Sequence, residues 1–215
     1  MNDVAVIDYG MGNLRSVAKA LEHVAPPNTR VVVSNDPQQI MQATRVVFPG
    51  QGAMRDCMNE LQRLQLDAVV RECVKTKPFL GICMGLQVLL ERSEENNGWP
   101  GLGLLQGDVR RFADHMTDAS GARLKVPHMG WNQVRQTRTH PLWEGIADQS
   151  RFYFIHSYYV QPSDQTLIAG LTAYPTEFTS VIAHDNVFAV QFHPEKSERH
   201  GLALLRNFLH WDGSI

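Results

Sequence analysis

The chain is poor in the features that would place it in several broad functional classes. Three cysteines in 215 residues is an odd, low number, which excludes the disulfide framework of a small secreted domain. Neither charge dominates. The 22 acidic side chains against 20 basic ones leave a net charge of −2, without the basic surplus of a general nucleic-acid or anionic-membrane binder. No apolar run approaches the ~18 residues of a membrane span; the longest candidate, Phe79 to Leu90, is interrupted by Gly81, Gly85 and Gln87. The opening Met1-Asn2-Asp3-Val4 lacks the positive start and apolar core of a secretory signal, so a cytoplasmic protein with reduced thiols is expected. Ligand signatures are missing as well. Gly10-Met11-Gly12-Asn13-Leu14-Arg15 has two glycines of a dinucleotide fingerprint but Arg15 where the third belongs, and there is no P-loop. The nine histidines show no metal-ligand spacing. No metal and no cofactor is expected.

What is present is a regular alternation. At roughly 100–200 residues per domain the length predicts one domain over 1–215. Val4–Asp8, Arg30–Val33, Arg45–Phe48 and Phe79–Ile82 read as short apolar strands. Between them, helical spacing is predicted over Leu14–Val24, over Ala53–Lys75 and over Gly85–Arg92, with Ser34–Pro37 as a turn. Continuous apolar strands alternating with helices imply a parallel sheet covered on both faces. From about Gly101 the pattern turns β-rich, with strands predicted over Phe152–Val160, Thr166–Tyr174, Ser180–His184 and Val187–Phe192 and a hairpin at Asp185-Asn186. A closing amphipathic helix carries Leu202, Leu205, Phe208 and Leu209. The fold class is α/β: a parallel central sheet flanked by helices, with a β-rich second half extending the same sheet.

The sharpest chemical signal is Gly81-Ile82-Cys83-Met84-Gly85, which has the form of a nucleophile elbow with Cys in place of Ser. The glycines relieve crowding in a strained strand-to-helix turn, and the start of the helix favours a thiolate. The plain alternative is a small side chain at a tight junction. A thiol nucleophile needs a base, and the base an orienter. In Gln191-Phe192-His193-Pro194-Glu195, Pro194 keeps His193 extended, and residues two apart in an extended chain project to the same side, so Glu195 comes beside His193. A salt-bridged surface histidine is the alternative, since the sequence cannot bring His193 to Cys83. An elbow supplies the N–H after the nucleophile, here Met84, and borrows a second from a nearby loop. Pro49-Gly50-Gln51-Gly52 is such a loop, or else a plain Gly-rich turn. Cys57 and Cys73 read as core fillers, and Glu94-Glu95 as a solvated helix end.

Together, Gly81 to Gln87, Pro49 to Gly52 and Phe192 to Glu195 resemble the class I (triad) glutamine amidotransferases, and the resemblance implies that single-domain fold. Asp8 to Asn13, Val126 to Asn132, His156-Ser157-Tyr158 and His193 to Ser197 narrow the likeness to the glutaminase subunits of imidazole glycerol phosphate synthases, over essentially the whole chain. The resemblance implies Cys83 as nucleophile, His193 as base and then acid, and Glu195 as orienter. It implies an oxyanion hole from Met84, Gly50, Gln51 and Gly52, and glutamine contacts from Gln87, Glu95, His156, Ser157 and Tyr158. It also implies a partner, a (β/α)8 cyclase that receives ammonia, with Asn13, Trp131, Asn132 and Lys196 at or near the interface. Gln51 departs from the family loop, which more often has a small apolar residue there. The alternatives are an amidotransferase subunit of a different ammonia-using synthase and a non-catalytic scaffold that kept the fold.

Overall fold

The computed structural model describes residues 2–118 and 120–214. In its first half the strands are β1 (Asn2–Ile7), β2 (Thr29–Ser34), β3 (Arg45–Gly50) and β4 (Phe79–Cys83). The short β5 (Arg92–Ser93) and β6 (Trp99–Pro100) and then β7 (Gly107–Arg111) follow. The second half contributes β8 (His128–Gln136), β9 (Ser150–His156), β10 (Tyr158–Pro162), β11 (Ile168–Ala173), β12 (Glu177–His184) and β13 (Val187–Val190). The helices are α1 (Leu14–Val24), α2 (Pro37–Gln42), α3 (Met54–Arg63), α4 (Leu66–Thr76), α5 (Met84–Gln87) and α6 (Glu198–His210).

The sheet runs β2-β1-β3-β4-β13-β12-β10-β7-β5-β6, with β11 branching from β12 and carrying the β8–β9 pair. From β2 to β13 all pairings are parallel. Both faces of β1, β3, β4 and β13 are buried, as continuous apolar strands require, while the edge strand β2 is partly exposed. Ala5, Ile7, Phe48 and Phe79 pack on one face with Met54, Leu61 and Val70 of α3 and α4. Val4, Val6, Val47 and Ile82 pack on the other with Leu21 of α1 and Phe208 of α6. Cys57 and Cys73 are buried core thiols, as expected.

Four expectations need correction. The stretch Ala53–Lys75 is two helices, broken at Gln65 with φ 58°. Leu61 and Leu66 are both fully buried, yet five residues apart they would point ~140° apart on one helix; the left-handed residue resets the phase. Ser34–Pro37 is a helix start, because the Asp36 side chain accepts from Gln38 N–H at 2.9 Å ahead of Pro37 at the first helical position. The helix expected over Gly85–Arg92 stops after one turn at Gln87. The carbonyls of Val88, Leu89 and Leu90 accept instead from Leu102, Leu105 and Gly103, so this apolar run is buried all round and needs no helical face. The strand expected over Phe152–Val160 is interrupted at Ser157, between β9 and β10. The nine-residue β8, His128–Gln136, has no counterpart in the expectations, because its largely polar sequence gives no apolar alternation to read. The Asp185-Asn186 hairpin is present, with His184 opposite Val187 and Asp185 at φ 46°.

Candidate active site

Three neighbouring parallel strands end side by side. Gly50 of β3 is in register with Cys83 of β4, and Val190 of β13 with Ile82. The carboxyl ends of such strands are where open α/β sheets place their ligands. Here they bring Gln51 and Gly52, Cys83 and His193 around one cavity of about 710 Å³. Its wall also holds Gln87, Glu95, His156, Tyr158 and Lys196, and the Gly10–Gly12 turn closes one side.

Cys83 has φ 55° and ψ −104°, a conformation that costs an L-residue ~1–3 kcal/mol. The elbow persists because its surroundings over-determine it. A side chain at Gly85 would collide with the Phe48 carbonyl, and one at Gly81 would come within 2.6 Å of the Gly85 oxygen. Since α5 is only one turn long, its dipole is small, and it offers the sulfur less help than the expected helix would. A polar neighbour not foreseen from the sequence, Gln191, supplies an N–H donor at 3.5 Å from Cys83 Sγ.

His193 and Glu195 meet, but not along an extended strand. Pro194–Lys196 forms a single 3-10 turn, and that turn carries the Glu195 carboxylate to 2.9 Å from His193 Nδ1. The backbone is pinned on both sides. His193 N–H donates to the Tyr153 carbonyl at 2.9 Å, and the Ser197 hydroxyl donates to the His193 carbonyl at 2.6 Å. Both side chains are buried, at 7% and 1% exposure, so the carboxylate acts in a medium that screens it little. Burial alone pulls the imidazole down, but the adjacent Cys83 sulfur and then Glu195 outweigh it and raise His193 to about 10. Raised above its ordinary ~6.5, this proton contributes stability that is complete below that pH and lost as the pH rises through about 10. Glu195→Gln keeps the hydrogen-bond reach and removes the charge. His193 should then lose its proton at a pH lower by roughly one or more, read by NMR titration of the ring; an unchanged titration counts against the orienter role.

The Gly50–Gly52 loop sits on the hydroxyl of Tyr9, which no local motif marks. Tyr9 is fully buried, and a side chain at Gly50 would collide with its hydroxyl. Gly52 has φ 93°, which favours glycine. Gln51 is exposed, so its amide meets solvent. Glu95 is no solvated helix end: its carboxylate accepts from the first N–H of α3, at Met54, at 2.7 Å, and burial pulls its carboxyl up. Glu94 is the solvated one, paired with Arg110 at 2.6 Å. Both ring nitrogens of His156 are engaged, with His128 at 2.9 Å and the Tyr158 carbonyl at 2.8 Å. What the segment His156-Ser157-Tyr158 offers a ligand is therefore its backbone and the Ser157 and Tyr158 side chains.

Of the remaining named residues, Asn13, Trp131 and Asn132 do not line the cavity. Lys196 lines the cavity, with its ammonium 5.9 Å from the centre of the Tyr153 ring. Trp131 packs edge-on against Tyr153 and is 38% exposed; Met129, two residues earlier on β8, is 58% exposed. Asn13 is exposed just before α1, and Asn132 is half-buried. Among the described residues no helix is long and apolar enough to cross a membrane.

The family model for glutamine amidotransferase class I matches residues 5–211. The chain belongs to the class I glutamine amidotransferases. This amidotransferase is 62% identical to "Imidazole glycerol phosphate synthase subunit HisH" of Nitrosococcus oceani over 213 residues, covering 99% of each chain. It is 61% identical to the protein of the same name from Aromatoleum aromaticum, covering 98% of this chain and 99% of that one. Among solved structures, "Structure of PurLQS from Thermotoga maritima" superposes with a TM-score of 0.70 at 17% identity, covering 97% of each chain. That likeness shows the amidotransferase fold alone.

Proposed function

We propose that this amidotransferase is the glutaminase subunit of an imidazole glycerol phosphate synthase, a cytoplasmic enzyme of histidine biosynthesis. The observation that carries the reading is the near-complete, 61–62% identity to proteins named for that subunit. The whole chain acts as one amidotransferase domain. Its substrate is L-glutamine and it needs no cofactor.

The chemistry follows from the cavity. The Cys83 thiolate attacks the carboxamide carbon, and the developing oxyanion is held by the backbone N–H of Met84 and by the Gly50, Gln51 and Gly52 loop. The C–N bond breaks as His193 protonates the departing ammonia, leaving a thioester. His193 then takes a proton from water, whose oxygen attacks the thioester carbon and releases glutamate and the thiol. Glu195 holds the imidazole in place and stabilises its charged form. Gln87, Glu95, His156, Ser157 and Tyr158 shape the glutamine subsite around the nucleophile.

Ammonia released into bulk water becomes ammonium and loses its nucleophilicity, so the acceptor must be docked at the cavity mouth. The partner is a (β/α)8 cyclase, seated on Asn13, Trp131, Asn132 and Lys196. Exposed Met129 and Trp131, with Trp131 edge-on against Tyr153, form an apolar patch suited to a protein partner, and the Lys196 ammonium lies over the same Tyr153 ring. Mixing the chain with such a cyclase and its nucleotide substrate should raise glutamate release by ~10-fold or more, the scale of a coupling free energy between sites. No stimulation by the cyclase would sink the assignment to this synthase while leaving the amidotransferase family intact.

A further inference from the structure

Gln191 is a fully buried amide with none of the roles above. Its backbone N–H is spent on the Ser180 carbonyl at 2.8 Å, and both ends of its side chain are engaged. The oxygen and nitrogen ends of an amide are distinguished by their network, not by their shape. Here one backbone group sets the network. The Tyr158 carbonyl can only accept, so Gln87 must turn its NH₂ toward it, at 3.1 Å. The same NH₂ lies 3.1 Å from Gln191, which must therefore present Oε1 to it. That leaves the Gln191 NH₂ for the Cys83 sulfur.

The same carbonyl orders the other side. It accepts from His156 Nδ1 at 2.8 Å, so His156 Nε2 carries no proton and must accept from His128 Nδ1 at 2.9 Å. His128 Nε2 then accepts from Asn132 Nδ2 at 3.1 Å. Burial lowers His128 to about 4 and His156 to about 3, so both rings are neutral at physiological pH and this proton pattern holds. From Asn132 on β8 to the sulfur at the end of β4, every donor and acceptor is assigned without choice.

We infer that Gln191 is a further catalytic residue, an N–H donor to the Cys83 sulfur that stabilises its negative charge. His156, His128 and Asn132 are positioning residues that hold the Tyr158 carbonyl, and through it the Gln87 and Gln191 amides, in place. A donor aimed at sulfur favours thiolate over thiol, because charge-assisted hydrogen bonds are about twice as strong as neutral ones. It partly replaces the dipole that the one-turn α5 cannot supply. The charged and titratable groups around the sulfur are His193 and Tyr9 beside it, with Glu95, His156, Tyr158 and Lys196 across the cavity. Gln191 is the neutral side chain whose N–H reaches the sulfur.

The inference rests on Cys83 being the nucleophile, and the experiment separates the two. In the full chain, with and without its partner, Gln191→Met and Gln191→Glu are compared with wild type at fixed neutral pH. The rate of iodoacetamide alkylation of Cys83, followed on its peptide by mass spectrometry, is measured alongside kcat and KM. Gln191→Met should slow alkylation and lower kcat by ~10-fold, with KM within about 3-fold. Gln191→Glu keeps the acceptor for Gln87 but turns a carboxylate oxygen toward the sulfur, so it should be slower still. Alkylation of both variants at the wild-type rate overturns the inference, as does equal slowing of the two. Wild-type long-range ¹H–¹⁵N spectra should show His128 and His156 as Nδ1–H tautomers, and an Nε2–H form of either ring breaks the chain whatever the variants do. If alkylating wild-type Cys83 leaves glutamine hydrolysis intact, the nucleophile reading fails on its own.

Discussion

Cys83→Ala should leave a folded chain that no longer hydrolyses glutamine, with a fall in kcat of at least ~10⁴-fold. The magnitude follows from covalent catalysis. Without the nucleophile only binding and oxyanion stabilisation remain, and residual rates in triad enzymes are then orders of magnitude below the intact machinery. The fold survives because alanine adds no atoms to a buried site, and because the strained φ of 55° is held by the packing around Gly81 and Gly85 rather than by the sulfur. Cys83→Ser is the companion. Its hydroxyl is not appreciably ionised at neutral pH, so labelling by a diazoketone analogue of glutamine should vanish as well. Glutamate release and mass-spectrometric labelling check both. A serine variant that labels like wild type would show that another residue is the nucleophile.

The second large effect is steric. Gly85→Ala should destabilise the chain by ~3 kcal/mol or more, because the new methyl group points into the Phe48 carbonyl. Phe48 cannot yield cheaply. It is fully buried on β3, which is paired to β1 on one side and β4 on the other. For a chain of this size that is a fall in thermal midpoint of roughly 6–12 °C. Activity should fall by ~100-fold or more in whatever folds, since a ~1 Å displacement between catalytic groups costs about that much, and any widening of the β3–β4 gap moves the Gly50 loop away from Cys83. Gly103→Ala is the contrast, with no atom within 4 Å of its added methyl. It carries only the cost of φ 60° in a non-glycine residue, ~1 kcal/mol. Equal midpoints for the two variants, read by circular dichroism, would refute the close-approach account of Gly85.

The local chemistry of the site was legible because it is written in short segments. Gly81 to Gly85 declares a tight turn around a thiol, and Pro49 to Gly52 a loop that can turn its amides outward. His193-Pro194-Glu195 pairs a base with a carboxylate, although a 3-10 turn rather than an extended strand joins them. Other parts of the site carry no such mark. Tyr9 looks like a strand-end aromatic and Gln191 like one polar residue in an apolar run. Their roles arise from β1, β3, β4 and β13 lying side by side. Polar β8 escaped notice because its partners, β9 and β11, rather than an apolar alternation, make it a strand.

The three thiols divide on the same line. Composition and local pattern were enough to set Cys83 apart from Cys57 and Cys73, to exclude a membrane-spanning run, and to predict a parallel sheet with helices on both faces. Those properties depend on residues near one another in the chain, where spacing maps directly onto geometry. The sequence alone could not say that His193, 110 positions after Cys83, is its neighbour, nor that the Gln87 amide bonds both the Tyr158 carbonyl and Gln191. Pairings between distant segments are set by which strand lies beside which. Here the β13–β4 register brings together the strand ends that carry His193 and Cys83.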